Sequence, residues 1–175
     1  MRNANPRLQP PPSHATEAEF VSRFAGVYEH SAWVAHAAWA DGIHSEHDTV
    51  HGLAQLLAAQ VNSADAATKL ALICAHPDLG GRAARTGTLS TDSAREQASA
   101  GLDACTEAEF ARLQTLNTAY RDKFGFPFII AVKGMQRSDI LTAMESRLAN
   151  DPATERDRAL DEIHKIARLR LAAMT

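Results

Sequence analysis

Three places in this chain carry residue types suited to moving a proton or gripping an anion. The first is His76, in Ala75-His76-Pro77-Asp78-Leu79-Gly80-Gly81. An imidazole titrates near neutral pH, so it can both give and accept a proton. Pro77 disfavours helix at His76, which predicts that a helix ends there and leaves the ring at the head of a glycine turn. The second is Ser93-Ala94-Arg95-Glu96-Gln97. Ser93, Glu96 and Gln97 stand at i, i+3 and i+4 and share one helical face. No large apolar residue lies between Thr91 and Gly101, so this helix suits a polar pocket wall. The third is Arg170. It follows Ile163 and Ile166 at seven and four residues, which puts it on an apolar face. Arg168 follows Asp161 and His164 at the same spacings, on a polar face. A buried guanidinium requires an anionic partner, and a glutamate or an acidic substrate would serve.

Each place also has a plainer reading. His76 can cap the carbonyls of its helix, the Ser93–Gln97 helix can be a solvated surface element, and Arg170 can sit in a structural ion pair. Two other chemistries are weaker. His44, His47 and His51 resemble a row of metal ligands, but Asp48 is expected to cap the following helix, so His44 and His47 precede it and cannot share its face. Cys74 belongs to an apolar helix face and reads as a small hydrophobe rather than a nucleophile. No phosphate-binding glycine loop or dinucleotide fingerprint is present.

The elements that must position these residues are helical. Thr16 with Glu19 and Thr106 with Glu109 form capping-box signatures. Ser31, Asp48 and Ser90 are candidate caps for helices carrying Trp33 and Val34, then Leu53, Leu57 and Val61, then the Ser93–Gln97 face. A helix over about 65–74 is expected to bury Leu70 and Ile73. Phe110, Leu113, Leu116, Tyr120 and Phe124 make one stripe, ended by Gly125. Ser138 can open a helix with Ile140, Leu141, Met144 and Leu148, and Asp151 with Pro152 opens the last one. The exception is Phe126 to Gly134. Pro127, Ile129, Ile130 and Val132 predict a buried extended segment. Its backbone groups need partners that a lone strand cannot supply, and a buried polar ligand is one source.

At 175 residues the chain suits one domain. Residues 1–14, with Pro6 and Pro10 to Pro12, are expected to be a flexible proline-rich leader, and residues 15–175 the helical domain. A formal charge of -3 leaves no basic surplus for nucleic acid or an anionic membrane. The two cysteines form no CxxC pair and the longest apolar run, Phe126 to Val132, is too short to cross a bilayer. Neither terminus reads as a secretory or peroxisomal address. The expected location is the cytoplasm.

Taken together, these blocks resemble a known family, the 2-oxo-4-hydroxy-4-carboxy-5-ureidoimidazoline (OHCU) decarboxylases. The matching stretches are FAGVYEHSAWV at 24–34, AHPDLG at 75–80, SAREQ at 93–97 with Gly101-Leu102, Leu116-Asn117, Tyr120, KFGFPFII at 123–130, Arg147-Leu148, Glu155 and IARLRL at 166–171. They run in order over about residues 16–173. The resemblance implies an all-α bundle of about eight helices with one short extended segment. It also implies cofactor-independent decarboxylation of OHCU to (S)-allantoin in urate degradation. By the same resemblance His76 is the acid/base catalyst, with Glu96 and Arg170 acting beside it. Substrate contacts fall to Pro77, to Ser93, Ala94, Arg95, Glu96 and Gln97, and to Phe128, Ile129, Ile130, Ala131 and Val132. No cofactor and no metal are expected, the partners are the small-molecule substrate and product, and a homodimer is a further implication. The competing reading is a non-catalytic binding or scaffold module of the ureide pathway. A metal-assisted hydrolase is the third.

Overall fold

The computed structural model describes residues 5–175. Among these the chain forms nine α-helices, short 3-10 turns and no strand, so the all-α expectation holds. The helices are α1 (Glu17–Phe24), α2 (Trp33–Asp41), α3 (Val50–Ser63), α4 (Ala66–Cys74), α5 (Arg82–Thr86), α6 (Thr91–Ser99), α7 (Glu107–Phe124), α8 (Arg137–Arg147) and α9 (Pro152–Ala172). The five-residue α5 is the one that the sequence pattern does not announce.

Local chemistry explains most starts and stops. The Thr16 and Thr106 hydroxyls accept the N–H groups of Glu19 and Glu109, whose carboxylates accept the cap N–H groups in return. Asp151 opens α9 by accepting the N–H groups of Ala153 and Thr154 at 3.1 and 3.0 Å. A good cap is worth about 1 kcal/mol. Gly125, at φ 78°, ends α7 in the left-handed region. Three starts differ from expectation. The Ser31 hydroxyl donates to the Glu29 carbonyl instead of capping α2. Thr49, not Asp48, caps α3, because the Asp48 carboxylate is engaged by the N–H and hydroxyl of Ser13 at 2.9 and 3.0 Å. Before α8 the Gln136 N–H donates to the Asp139 carboxylate, which starts that helix one residue ahead of Ser138.

The described residues group into two compact units. The first holds the chain up to Leu72 together with His164–Thr175. Its interior includes Phe20, Phe24, Leu53, Leu57 and Val61, with the Phe20 and Phe24 ring centroids 4.9 Å apart. The leader expectation is corrected here. Leu8 is fully buried, its N–H donates to the Asp48 carbonyl at 2.8 Å, and the Val50 N–H donates to the Pro6 carbonyl at 2.9 Å. Arg23 also holds the carbonyls of Pro10 and Gln9. Residues 5–14 are therefore packed; residues 1–4 of the expected leader lie outside the described residues. The prolines that suggested looseness instead reduce the entropy lost on ordering. Leu70 is also corrected: it is 40% exposed, and Leu72 takes the interior place beside Ile73.

The second unit is Ile73–Ile163. Leu113, Asn117, Tyr120 and Phe124 of α7 are buried, whereas Phe110 and Leu116 are only half-buried. Tyr120 sits at the centre of an aromatic cluster with Phe124, Phe126 and Phe128, at centroid distances of 4.6, 5.9 and 5.3 Å. Each such contact contributes about 0.5–1.5 kcal/mol beyond burial. The cluster seats the segment after Gly125, which lies outside any helix or strand and is buried or half-buried through Val132; Lys133 and Gly134, expected to belong to it, form an exposed turn.

Candidate functional site

His76 stands two residues past the end of α4, with its N–H donating to the Ile73 carbonyl at 3.2 Å. Its residue is buried, at 7% exposure. The turn that follows is pinned by four side chains. The Gln97 carbonyl accepts the Gly80 N–H at 2.8 Å, and its amide donates to the Asp78 carbonyl at 3.4 Å. From α7, Gln114 donates to the Gly80 carbonyl at 3.1 Å and Asn117 to the Leu79 carbonyl at 3.0 Å. Arg121 grips the Asp78 carboxylate at 2.9 Å. A buried turn has no regular ladder to satisfy its peptide groups, so side-chain amides take that role.

Helix α6 divides as its spacing predicts. Ser93 and Gln97 are buried and Glu96 is half-buried, while Ala94 and Arg95 are exposed. Arg95 pairs loosely with Asp92 at 3.5 Å. The polar face therefore turns toward the His76 turn through Gln97, and Ala94 and Arg95 do not share it. Pro77 is half-buried.

The segment after Gly125 finds protein partners for three of its backbone groups. Arg147 donates to the Ile129 carbonyl at 2.7 Å, and the Glu162 carboxylate accepts the Ala131 N–H at 2.9 Å. The Val132 carbonyl accepts the Met135 N–H at 3.0 Å. Phe128, Ile129 and Val132 are buried, and Ile130 and Ala131 half-buried. Arg147 is held in turn by Glu155, 0% exposed, which also accepts from the Tyr120 hydroxyl and from Asn150. Burial, together with the Glu155 carboxylate, pushes the Tyr120 hydroxyl pKa well above its ordinary value, so Tyr120 stays protonated and donates to Glu155.

Arg170 belongs to the first unit. It is buried, while Arg168 is exposed, in agreement with the two faces read from their spacing. Its guanidinium donates to the Glu29 carboxylate at 2.8 Å and to the Gly26 carbonyl at 3.2 Å. The glutamate partner that its burial demands is thus present within the chain.

Sequence reasoning named no role for Gln114, Asn117, Arg121, Arg147, Glu155 or Glu162. Asn117 carried a signal, since it falls in the apolar stripe of α7. Glu155 and Glu162 carried one too: they precede Glu162 and Leu169 by seven residues, along the edge of the same face that marked Arg170 as odd.

Fold and site define an all-helical protein that presents a buried imidazole at a helix end, beside a helix face of hydroxyl, carboxylate and amide groups. That is equipment for acid/base chemistry on a small polar molecule. The family model described as OHCU decarboxylase matches residues 13–172, and the chain belongs to that family. It is 44% identical to a 2-oxo-4-hydroxy-4-carboxy-5-ureidoimidazoline decarboxylase of Halalkalicoccus jeotgali, over 93% of this chain and 89% of that protein. It is 42% identical to the protein of the same name from Haloferax volcanii, over 87% of each. Among solved structures it resembles that of an (S)-allantoin synthase, with a TM-score of 0.73 and 36% identity, covering 93% of this chain and 52% of that one.

Proposed function

We propose that this protein decarboxylates OHCU to (S)-allantoin in urate degradation, with His76 as general acid/base and no cofactor. The substrate carries its own electron sink. When the bond to the carboxylate breaks, its electron pair spreads into the adjacent C=N and C=O groups of the ring, and carbon dioxide leaves. His76 then delivers a proton to one face of the ring carbon, which fixes the product's hand. Glu96 orients His76 or accepts a hydrogen bond from the substrate hydroxyl. Pro77, Ser93, Glu96, Gln97 and the residues 128–132 contact the substrate, with Ser93, Gln97 and the Ile130–Ala131 backbone supplying its polar partners; Ala94 and Arg95, on the exposed side of α6, reach it only through their backbone. Arg170 supplies positive charge for the substrate, with Glu29 as its resident partner. A homodimer in the cytoplasm, with no nucleic-acid or membrane partner, completes this reading; no helix among the described residues is long and apolar enough to cross a membrane.

The observation that carries the proposal is the pinned turn after His76. Gln97, Gln114, Asn117 and Arg121 hold a buried turn behind a single imidazole. A histidine that only capped α4 would need no such frame, whereas a proton donor aimed at one face of a carbon does. The test mixes freshly generated urate-oxidation product with the protein and follows circular dichroism. Optically active allantoin should form faster than the spontaneous decay yields the racemate. Racemic product at the spontaneous rate would refute the proposal.

A further inference from the structure

We propose that Arg147 and Glu162 are positioning residues that set the Ile130 peptide groups as a backbone clamp for the substrate's amide and urea atoms. The inference rests on the function proposed above and adds residues that do not touch the reacting atoms. The geometry that carries it lies along α9. Glu155 and Glu162 stand seven residues apart, which puts them on one face about 10 Å from each other. Both are buried. The segment after Gly125 lies against this face with two anchors. At Ile129 the carbonyl accepts from Arg147, whose Nε is fixed on Glu155 at 2.6 Å and whose guanidinium also covers the Phe128 ring at 4.4 Å. At Ala131 the N–H donates to Glu162 directly. Even fully extended, two residues of chain span only about 7 Å, so the Arg147 guanidinium makes up the difference on the Glu155 side.

Ile130 lies between the anchors. Among the described residues no hydrogen bond engages its N–H or its C=O, and the residue is half-buried. One donor and one acceptor, locked by neighbours on both sides, match the alternating N–H and C=O groups of a ureido ring. A mobile segment of the same sequence would offer the same groups without a fixed aim, at a cost in ordering on every binding event. Arg147 suits the task because its planar fork serves the Glu155 carboxylate and the Ile129 carbonyl together, which a lysine ammonium does not do with fixed geometry.

The test compares Glu162→Gln with Glu162→Leu, each checked for wild-type helicity and a cooperative melt. Glutamine keeps a carbonyl that accepts the Ala131 N–H; leucine keeps the volume and removes the acceptor. The expected result is a KM for OHCU within about threefold of wild type for Gln and raised about tenfold for Leu, with kcat within about threefold for both. Arg147→Lys should raise KM like Glu162→Leu and leave kcat alone. Calorimetry with (S)-allantoin gives a readout independent of turnover, and should show the same pattern in Kd. A folded Glu162→Leu protein with wild-type KM and Kd would overturn the proposal. So would a Gln variant as impaired as Leu, or absence of (S)-allantoin binding by the wild type. A wild type that binds (S)-allantoin in this pattern without turnover would refute the catalytic reading alone.

Discussion

At Gly80 the chain turns with φ 56°, and a Cβ built there would lie 2.2 Å from Leu113 Cδ2. Leu113 is itself fully packed, at 1% exposure, so it has little room to withdraw. A Gly80→Ala variant should lose about 1–3 kcal/mol of stability from backbone strain and overpacking. Urea denaturation measures this directly, and a variant as stable as wild type would show that the turn is not held rigidly against α7. The same residue explains why the sequence pointed to His76 yet missed its frame. The His-Pro pair and the two glycines announce a helix end and a turn, because their backbone limits are local. The amides that pin the turn come from Gln97, Gln114 and Asn117, 17 to 38 residues away from their partners, and their spacing carries no trace of that pairing.

Among the elements, several helix starts were legible from their cap residues, and four of them rest on carboxyl groups whose charge matters. The carboxyl groups of Glu19, Asp65, Glu109 and Asp151 are all held below their ordinary pKa values. For Glu19 and Glu109 the largest cause is the cap residue's backbone N–H, for Asp65 the Thr68 N–H, and for Asp151 the Thr154 hydroxyl. A carboxyl whose folded pKa is depressed stabilises the fold above its unfolded value, about 4. It loses that contribution as pH falls through the folded value. Glu109→Gln should therefore lower Tm at pH 7, and the gap to wild type should narrow as the pH is lowered through and below the ordinary carboxylate range. A gap independent of pH would mean that the carboxylate charge contributes nothing at this cap. Where a cap residue had a second suitor the sequence misled: Asp48 reads as a cap by type, but Ser13, far away in the chain, takes its carboxylate. The segment after Gly125 was legible from Pro127 and the β-branched residues. Its anchors were not, since Arg147 reads as an ordinary charged residue of α8, and the position of Glu162 on α9 does not name the Ala131 N–H as its partner.

For the whole molecule, the all-α class was written in the 3.6-residue apolar stripes, and the family in the order of the matching blocks. The packed stretch 5–14 was not, because its proline-rich composition hides a single buried leucine and two backbone hydrogen bonds to the start of α3. Arg170 was legible as inward-facing from its stripe, whereas Glu29, its partner 141 residues away, was not. Under the proposed function, the proton transfer is the work of His76. The most direct measurement is the rate and handedness of allantoin formation by a His76→Asn variant whose Tm and helicity match wild type. Turnover should fall about 10²–10⁴-fold, and the residual product should lose its optical activity. A folded His76→Asn protein that still makes (S)-allantoin at the wild-type rate would contradict the role assigned to this imidazole.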